Sequence, residues 1–302
     1  MKEIKDVLIC GIGAVGAIYA NKINEFNPEN LRILVDKNRY ENYTKNPKIF
    51  NGKVLELNYI LPDDKSFKAD LIIIATKYDG LESAANNIKN FIKEDTIILS
   101  LLNGVTSEEI IAKKYGKDHL LYSYFIGHSA MRNGNIINHD GVGKIVFGGV
   151  SENDKTKVQL LRDFFDKIGI EYTIPDDIYR SLWLKFMLNI CSNQPSAIFR
   201  MTFGQMQTNK KFINFMIEIM KEVQILAQKE GVNNTETMID EALKTFYTMT
   251  PVGRTSMLQD VEAGRKTEVE MFAGHIIKLG EKYNIPTPYN KILKEMIEII
   301  TE

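Results

Sequence analysis

Three groups of residues in this chain have types and spacings that could do chemistry. The first is Gly11-Ile12-Gly13-Ala14-Val15-Gly16, directly after the apolar run Val7-Leu8-Ile9-Cys10. Glycines so spaced permit a tight turn at Gly11, close approach of a pyrophosphate to the backbone at Gly13, and close packing of helix on strand at Gly16. A helix expected over 17–23 would then offer unpaired N–H groups to the phosphates. The second group is Ser181, Lys185, Asn189 and Asn193, which recur every four residues along an otherwise apolar helix predicted over 178–193. A lysine on such a helix needs a partner or a use. The amides one and two turns on could bond its ammonium, and a crevice beside a nicotinamide could employ it; a solvated face on a buried helix is the competing reading. The third group is Ser256-Met257-Leu258-Gln259-Asp260 with Arg265-Lys266-Thr267-Glu268 behind it. Thr267-x-x-Glu270 has the form of a capping box, which sets Glu268 in the first turn of a helix where the macrodipole favours its charge. A ligand role for Glu268 stands beside that account, and Ser256 is open to the same choice between ligand and N-cap.

These groups need elements to carry them. A second strand over 31–35 ends at Asp36, about 20 residues past the last glycine, where an acid would accept hydrogen bonds from the adenosine ribose. Residues 70–77 form a β-branched strand whose carboxyl end aims Lys77 at the cofactor crevice, unless it is merely a strand-end lysine reaching solvent. A helix over 81–92 and a strand over 96–101 continue the alternation and end at Asn103-Gly104. Asn103 there is a candidate substrate or nicotinamide contact, or simply a turn residue. Asn51-Gly52 marks a hairpin, and turns at 132–135 and 140–143 separate short strands that leave the parallel pattern. A helix over 153–168 and a strand over 170–173 close a mostly parallel α/β domain, residues 1–175. Residues 176–302 show only helical periodicity: further helices over 210–230, 236–248, 255–263 and 267–283, and a last one after Pro286-Thr287-Pro288.

Composition narrows the partners. With 38 basic and 39 acidic residues the formal net charge is -1, so no electrostatic field recommends nucleic acid or an anionic membrane. No apolar run has the length of a membrane span, and the charged first residues do not resemble a signal peptide, so a cytoplasmic enzyme with a small-molecule substrate is expected. Cys10 and Cys191 read as buried thiols of a reducing compartment. His119, His128, His139 and His275 match no zinc spacing, and no metal is expected.

The glycine turn, Trp183-x-Lys185-x-x-x-Asn189-x-x-x-Asn193 and the Ser256–Asp260 and Arg265-x-Thr267-Glu268 block together resemble the ketopantoate reductase (2-dehydropantoate 2-reductase) family over essentially the whole chain. The resemblance implies an N-terminal Rossmann domain, an all-α C-terminal domain and an active site between them. It makes Lys185 the general acid and Glu268 a substrate-binding, catalytic carboxylate in reduction of ketopantoate to pantoate by NADPH or NADH. Asn103, Asn189, Asn193 and Ser256 become substrate contacts, and the 11–16 turn, Asp36, Lys77 and Asn103 the cofactor site. Family habit suggests a homodimer. Two departures stand out. Asp36 occupies a place where NADPH-using members commonly carry a basic residue, and suits a free ribose hydroxyl; Lys77, Lys37 and Arg39 pull the other way. Ala273-Gly274 replaces the usual Asn-Gly. A reductase of another 2-oxo or 3-hydroxy acid is the nearest alternative, and a cofactor-sensing protein without turnover a more distant one.

Overall fold

Apolar β-branched segments assemble the first half of the molecule. In this computed structural model, which describes residues 3–127 and 130–302, the chain divides into two compact units, Met1–Ile178 and Tyr179–Glu302. The first unit holds β1 (Val7–Cys10), α1 (Ala14–Phe26), β2 (Leu31–Leu34), α2 (Lys37–Lys45), β3 (Lys48–Phe50), β4 (Lys53–Leu55), β5 (Tyr59–Ile60), β6 (Leu71–Ile74), α3 (Leu81–Asn87) and β7 (Ile97–Ser100). There follow α4 (Ser107–Tyr115), β8 (Leu120–Gly127), β9 (Met131–Asn133), β10 (Ile136–Asn138), β11 (Gly143–Gly148), α5 (Lys155–Ile168) and β12 (Tyr172–Thr173). One sheet runs in the order β12-β11-β8-β7-β6-β1-β2-β5, parallel from β8 to β5, with β11 antiparallel to β8. Covered on both faces, β1, β6 and β7 are wholly buried, as continuous runs of Val, Ile and Leu require.

After β2 and β5 the chain crosses back to the other side of β1, so strand order reverses there, the place at which open sheets of this kind take ligands beyond the carboxyl ends of their strands. The opposite end is pinned by Asp70, whose carboxylate accepts the Lys5 and Asp6 N–H groups, each at 2.9 Å, and pairs with Lys93. The β6 ladder stops at Ile74, short of the 70–77 strand expected from the sequence, because Ala75 and Thr76 turn to pack against Gly11.

A second sheet, β4-β3-β10-β9, joins two hairpins distant in sequence through parallel pairing of β3 with β10. The first hairpin turns at Asn51-Gly52, both at positive φ (47° and 82°), as a type I′ turn demands. Phe50, Leu55, Ala130 and Ile137 pack against Ala14, Ala17 and Ile18, so the small sheet braces the first turns of α1.

The second unit is helical: α6 (Ile178–Phe199, whose first residue belongs to the other unit), α7 (Phe203–Gln207), α8 (Lys210–Lys229), α9 (Met238–Tyr247), α10 (Ser256–Glu262), a π-helical turn (Glu270–Gly274), α11 (His275–Tyr283) and α12 (Pro288–Thr301). The sequence pattern ends this helix at residue 193. The helix in fact continues through Pro195. Proline there removes one N–H and crowds the carbonyl of Cys191. Around it, Ser192 Oγ donates to the Leu188 carbonyl at 2.6 Å and Gln194 Nε2 to that of Ile190 at 3.3 Å. Thr267 does not cap a helix. The helix begins instead as the π-helical turn, and Glu270 pairs with Lys294 of α12 at 2.8 Å rather than reaching back to Thr267. Gly274 makes room for that carboxylate, since a Cβ there would stand 2.4 Å from Glu270 Oε2.

Candidate active site

Each glycine of the first turn has a distinct physical reason. Gly11 has φ +94°, and a Cβ on it would lie 2.9 Å from the Ala75 carbonyl and Thr76 Cγ2. Gly16 could carry no Cβ without bringing it to 1.9 Å from the Gly11 carbonyl oxygen, so helix and strand touch there. A Cβ on Gly13 would meet nothing within 4 Å: the space over this residue is open. Gly13 is also the N-cap of α1 without a side-chain hydrogen bond, and no acidic residue occupies the helix's first turn. Open backbone, unfilled N–H groups and the positive end of a helix fit a pyrophosphate. The helix starts at Ala14, three residues before the sequence expectation, so Ala14 and Val15 belong to its first turn, and Ile12 is buried beneath. Thr76 adds a polar atom at this turn, for its Oγ1 is buried and has no hydrogen-bond partner among the described residues.

Asp36 stands directly after β2 and caps α2, its Oδ1 accepting the Arg39 N–H at 2.8 Å. Its other oxygen lies 3.4 Å from the Arg39 guanidinium, and both side chains are exposed. Lys77 is exposed three residues beyond β6. Half-buried Asn103 follows β7 beside Gly104, whose φ of 86° explains that glycine. Buried hydroxyls tether this turn from below: Ser100 Oγ donates to Ser107 Oγ, and Ser107 Oγ to Glu108 Oε2, both at 2.8 Å.

In the helical unit the polar stripe of α6 survives as predicted. Ser181, Lys185 and Asn189 are half-buried and Asn193 is buried, while Leu182, Trp183, Phe186, Met187 and Ile190 fill the core around them. Asn193 meets the third group of sequence candidates. Its Oδ1 accepts from Ser256 Oγ at 3.1 Å and from the Met257 N–H at 3.3 Å. Ser256 is therefore not the N-cap of α10; Thr255 is, accepting the Leu258 N–H at 3.2 Å and donating to Ser196 Oγ, also at 3.2 Å. Arg265 closes the block, its Nε 2.7 Å from Asp260 Oδ1 and its N–H donated to the Asp260 carbonyl. Glu268 then precedes the π-helical turn, its carbonyl accepting from Met271 and Phe272.

The family model described as Ketopantoate reductase PanE/ApbA matches residues 7–152, and that for Ketopantoate reductase PanE/ApbA C terminal matches residues 177–301. The chain belongs to the ketopantoate reductase family. It is 27% identical over 297 residues to a 2-dehydropantoate 2-reductase of Streptococcus pyogenes serotype M6, with 96% of each chain covered. Among solved structures it is similar to D-mandelate dehydrogenase in a ternary structure with NADH and anilino(oxo)acetate (TM-score 0.86, 24% identity, 98% of each chain). It is also similar to a dimeric ketopantoate reductase of Staphylococcus aureus (TM-score 0.77, 21% identity, 98% of each chain).

For a member of the ketopantoate reductase family, the structure adds residues that sequence patterns did not single out. Gln194, fully buried, accepts the Ala273 N–H on Oε1 at 3.2 Å. Asn290 and Glu222, both buried, lie behind it: Asn290 Nδ2 donates to Glu222 Oε2 at 2.8 Å. Buried amides read as core filler until their partners, some 70 to 100 residues away, are known. His275 packs edge-on against Phe186, ring centroids 5.8 Å apart. Burial, with Lys278 and Lys282 adding to it against Glu230, pushes its imidazole down to about 4, so it is neutral near pH 7. Burial pushes both thiols, Cys10 and Cys191, well up from their ordinary value. Among the described residues no group of three or more His, Cys, Asp and Glu could hold a metal, and no helix is long and apolar enough to cross a membrane. His128, among the histidines given no metal role, lies outside the described residues.

Proposed function

We propose that this chain catalyses the NAD(P)H-dependent reduction of ketopantoate to pantoate. The observation that carries the reading is the junction of Asn193 with Ser256 and Met257, which joins two motifs of the family into one polar surface on α6. The nicotinamide cofactor would supply a hydride to the substrate's C2 carbonyl. As that hydride arrives, negative charge grows on the carbonyl oxygen. A positioned Lys185 ammonium stabilises the charge and then gives up a proton to it. Asn189, one turn along α6, orients the ammonium. Asn193 spends its carbonyl oxygen on Ser256 and Met257, which leaves its amide nitrogen as a donor to the substrate. Ser256 holds the substrate carboxylate, Glu268 accepts from the substrate hydroxyl, and Asn103 bonds substrate or nicotinamide. The 11–16 turn takes the pyrophosphate, with Asp36 and Lys77 at the adenosine ribose. Residues 1–175 would thus serve the cofactor and 176–302 the substrate, in a homodimer such as that described for the Staphylococcus aureus enzyme. Two buried thiols suit the cytoplasm.

Ala273 favours a second reading. Its methyl is fully buried where the family usually has asparagine, so one polar contact is missing. A bulkier or less polar 2-oxo acid would tolerate that loss, and the fold neighbour solved with anilino(oxo)acetate supports this class. Steady-state oxidation of NADH and NADPH with ketopantoate and a panel of aliphatic and aryl 2-oxo acids decides between the two. The highest kcat/KM with ketopantoate supports the first reading; a clear preference for another member of the panel replaces it with the second.

A further inference from the structure

Around Pro195 three side chains of helix α6 make four hydrogen bonds to one later stretch of chain. Asn193 takes Ser256 and Met257, Ser196 takes Thr255, and Gln194 takes Ala273. The stretch so clamped begins at the N-cap of α10 and ends in the π-helical turn, and it contains Glu268. At its near end two contacts duplicate each other. At its far end, five residues past Glu268, Gln194 bonds the π-helical turn, which Phe186 of α6 also meets through the Phe272 ring, centroids 6.3 Å apart.

The π register gives that bond its purpose. The Met271 and Phe272 N–H groups both reach the Glu268 carbonyl, and Phe272 and Gly274 reach that of Val269. Between them the Ala273 N–H turns to Gln194 Oε1 at 3.2 Å. A buried N–H left without an acceptor is costly, so this acceptor decides whether the widened turn is tolerated. The other end of the Gln194 amide is also held, by the Ile190 carbonyl at 3.3 Å and by Asn290 Oδ1 at 3.5 Å. Asn290 is fixed in turn by Glu222, which also accepts the N–H groups of Tyr289 and Asn290 at 2.7 and 3.1 Å. The amide can neither rotate nor flip without breaking a bond at one end.

We propose that Gln194, held by Asn290 and Glu222, is a positioning residue that fixes Glu268 relative to Lys185 through the Ala273 N–H. This rests on the reductase reading for its kinetic consequence, though not for its structural one. Glu268 stands five residues before Ala273 on a turn seated on α6, and Lys185 stands on α6 itself. Loss of the seat lets the carboxylate drift while leaving the lysine in place, and a displacement of about 1 Å at a reacting centre can cost 100-fold.

The test uses Gln194→Met, which keeps the side-chain volume and removes all three bonds, in the full chain and in a Glu268→Ala background. In the native background kcat/KM for the 2-oxo acid should fall roughly 10- to 100-fold, with cofactor Kd unchanged. In the Glu268→Ala background the same change should cost less than about twofold, since a group that acts only through Glu268 has nothing left to place. Equal losses in both backgrounds overturn the proposal. Hydrogen exchange across residues 268–274 reads the seat without any substrate: it should quicken at least tenfold in Gln194→Met, and unchanged exchange overturns the proposal whatever the enzyme reduces. A native protein that reduces no 2-oxo acid defeats the reductase reading alone, and exchange then decides whether Gln194 seats the Glu268 turn. Should Gln194→Met fail to fold, Gln194→Asn, one methylene too short for Ala273, carries the same expectations.

Discussion

Replacing Gly13 by alanine separates binding from folding in a way few core-adjacent substitutions do. The new methyl meets no atom within 4 Å, and the residue's φ of −83° is one that alanine adopts readily. The free protein should therefore keep its Tm, or gain slightly, because alanine reduces the freedom of the unfolded chain by about 0.4–1 kcal/mol. Ligand binding should suffer. A phosphate oxygen bonds a backbone N–H at about 2.9 Å, and a methyl carbon in its path holds it off by roughly half an ångström or more. One charge-assisted bond lost is worth about 1.5–3 kcal/mol, a weakening of roughly 10- to 150-fold in Kd for NADH or NADPH. Gly16→Ala is the control of opposite kind. Its methyl would lie 1.9 Å from the Gly11 carbonyl oxygen and 3.2 Å from Ala75 Cβ, so helix must part from strand at a cost of about 1–3 kcal/mol, and Tm and affinity should fall together. Calorimetry on the free proteins with fluorescence titration of both cofactors makes the comparison. A Gly13→Ala protein with native Kd would refute the argument, for the pyrophosphate could not then lie over this turn.

Further expectations concern the helical unit, the cofactor and pH. Lys185→Ala should lower kcat about 100- to 1,000-fold with little change in cofactor affinity, by analogy with a lost oxyanion donor worth about 2.7–4 kcal/mol; near-native turnover would remove Lys185 from the mechanism. Asp36→Ser should keep stability within about 0.5 kcal/mol, because serine caps a helix nearly as well. If the carboxylate faces the ribose, the same change should move the ratio of kcat/KM values toward NADPH by about tenfold or more; an unmoved ratio would leave Asp36 as the cap of α2 and nothing else. His275 links stability to acid. Its folded value of about 4 lies below the unfolded 6.5, so between the two the unfolded chain binds a proton that the folded chain refuses. Stability should decline as pH falls from about 6.5 to about 4, by no more than about 3 kcal/mol, and His275→Leu should flatten that part of the profile; denaturant titration at several pH values measures it.

What was legible in the sequence was local. The glycine turn, the Asn51-Gly52 hairpin and the every-fourth-residue stripe on α6 each need only a few consecutive residues, and the structure builds all three as the spacing demands. What failed depends on partners far along the chain. The parallel pairing of β3 with β10 unites segments whose hairpins are visible singly but whose meeting is not. The apolar pattern of α6 stops at residue 193, yet the helix runs on through Pro195 to Phe199, where Gln194 and Ser196 bond groups far along the chain. Thr267-x-x-Glu270 has the letters of a capping box, yet Lys294 draws Glu270 away and the turn widens into π geometry. Ser256 was left between cap and ligand by its sequence; Thr255 takes the cap and Asn193 takes Ser256.

The clamp on α6 also bears on the order in which the molecule can be made. Gln194 finds Ala273 79 residues later and Asn290 96 residues later, and Asn290 in turn meets Glu222 across 68 residues. A growing chain that has produced α6 owns the lysine and both asparagines of the stripe but none of the distant partners of Gln194. Closing such long loops costs entropy before any bond repays it, and vectorial synthesis delays the repayment further. The glycine turn, by contrast, lies between β1 and α1, and its neighbours Ala75 and Thr76 follow in the same early part of the chain. The surface that would meet a nucleotide therefore gains its partners before α6 is made, and the one that would do chemistry sets late.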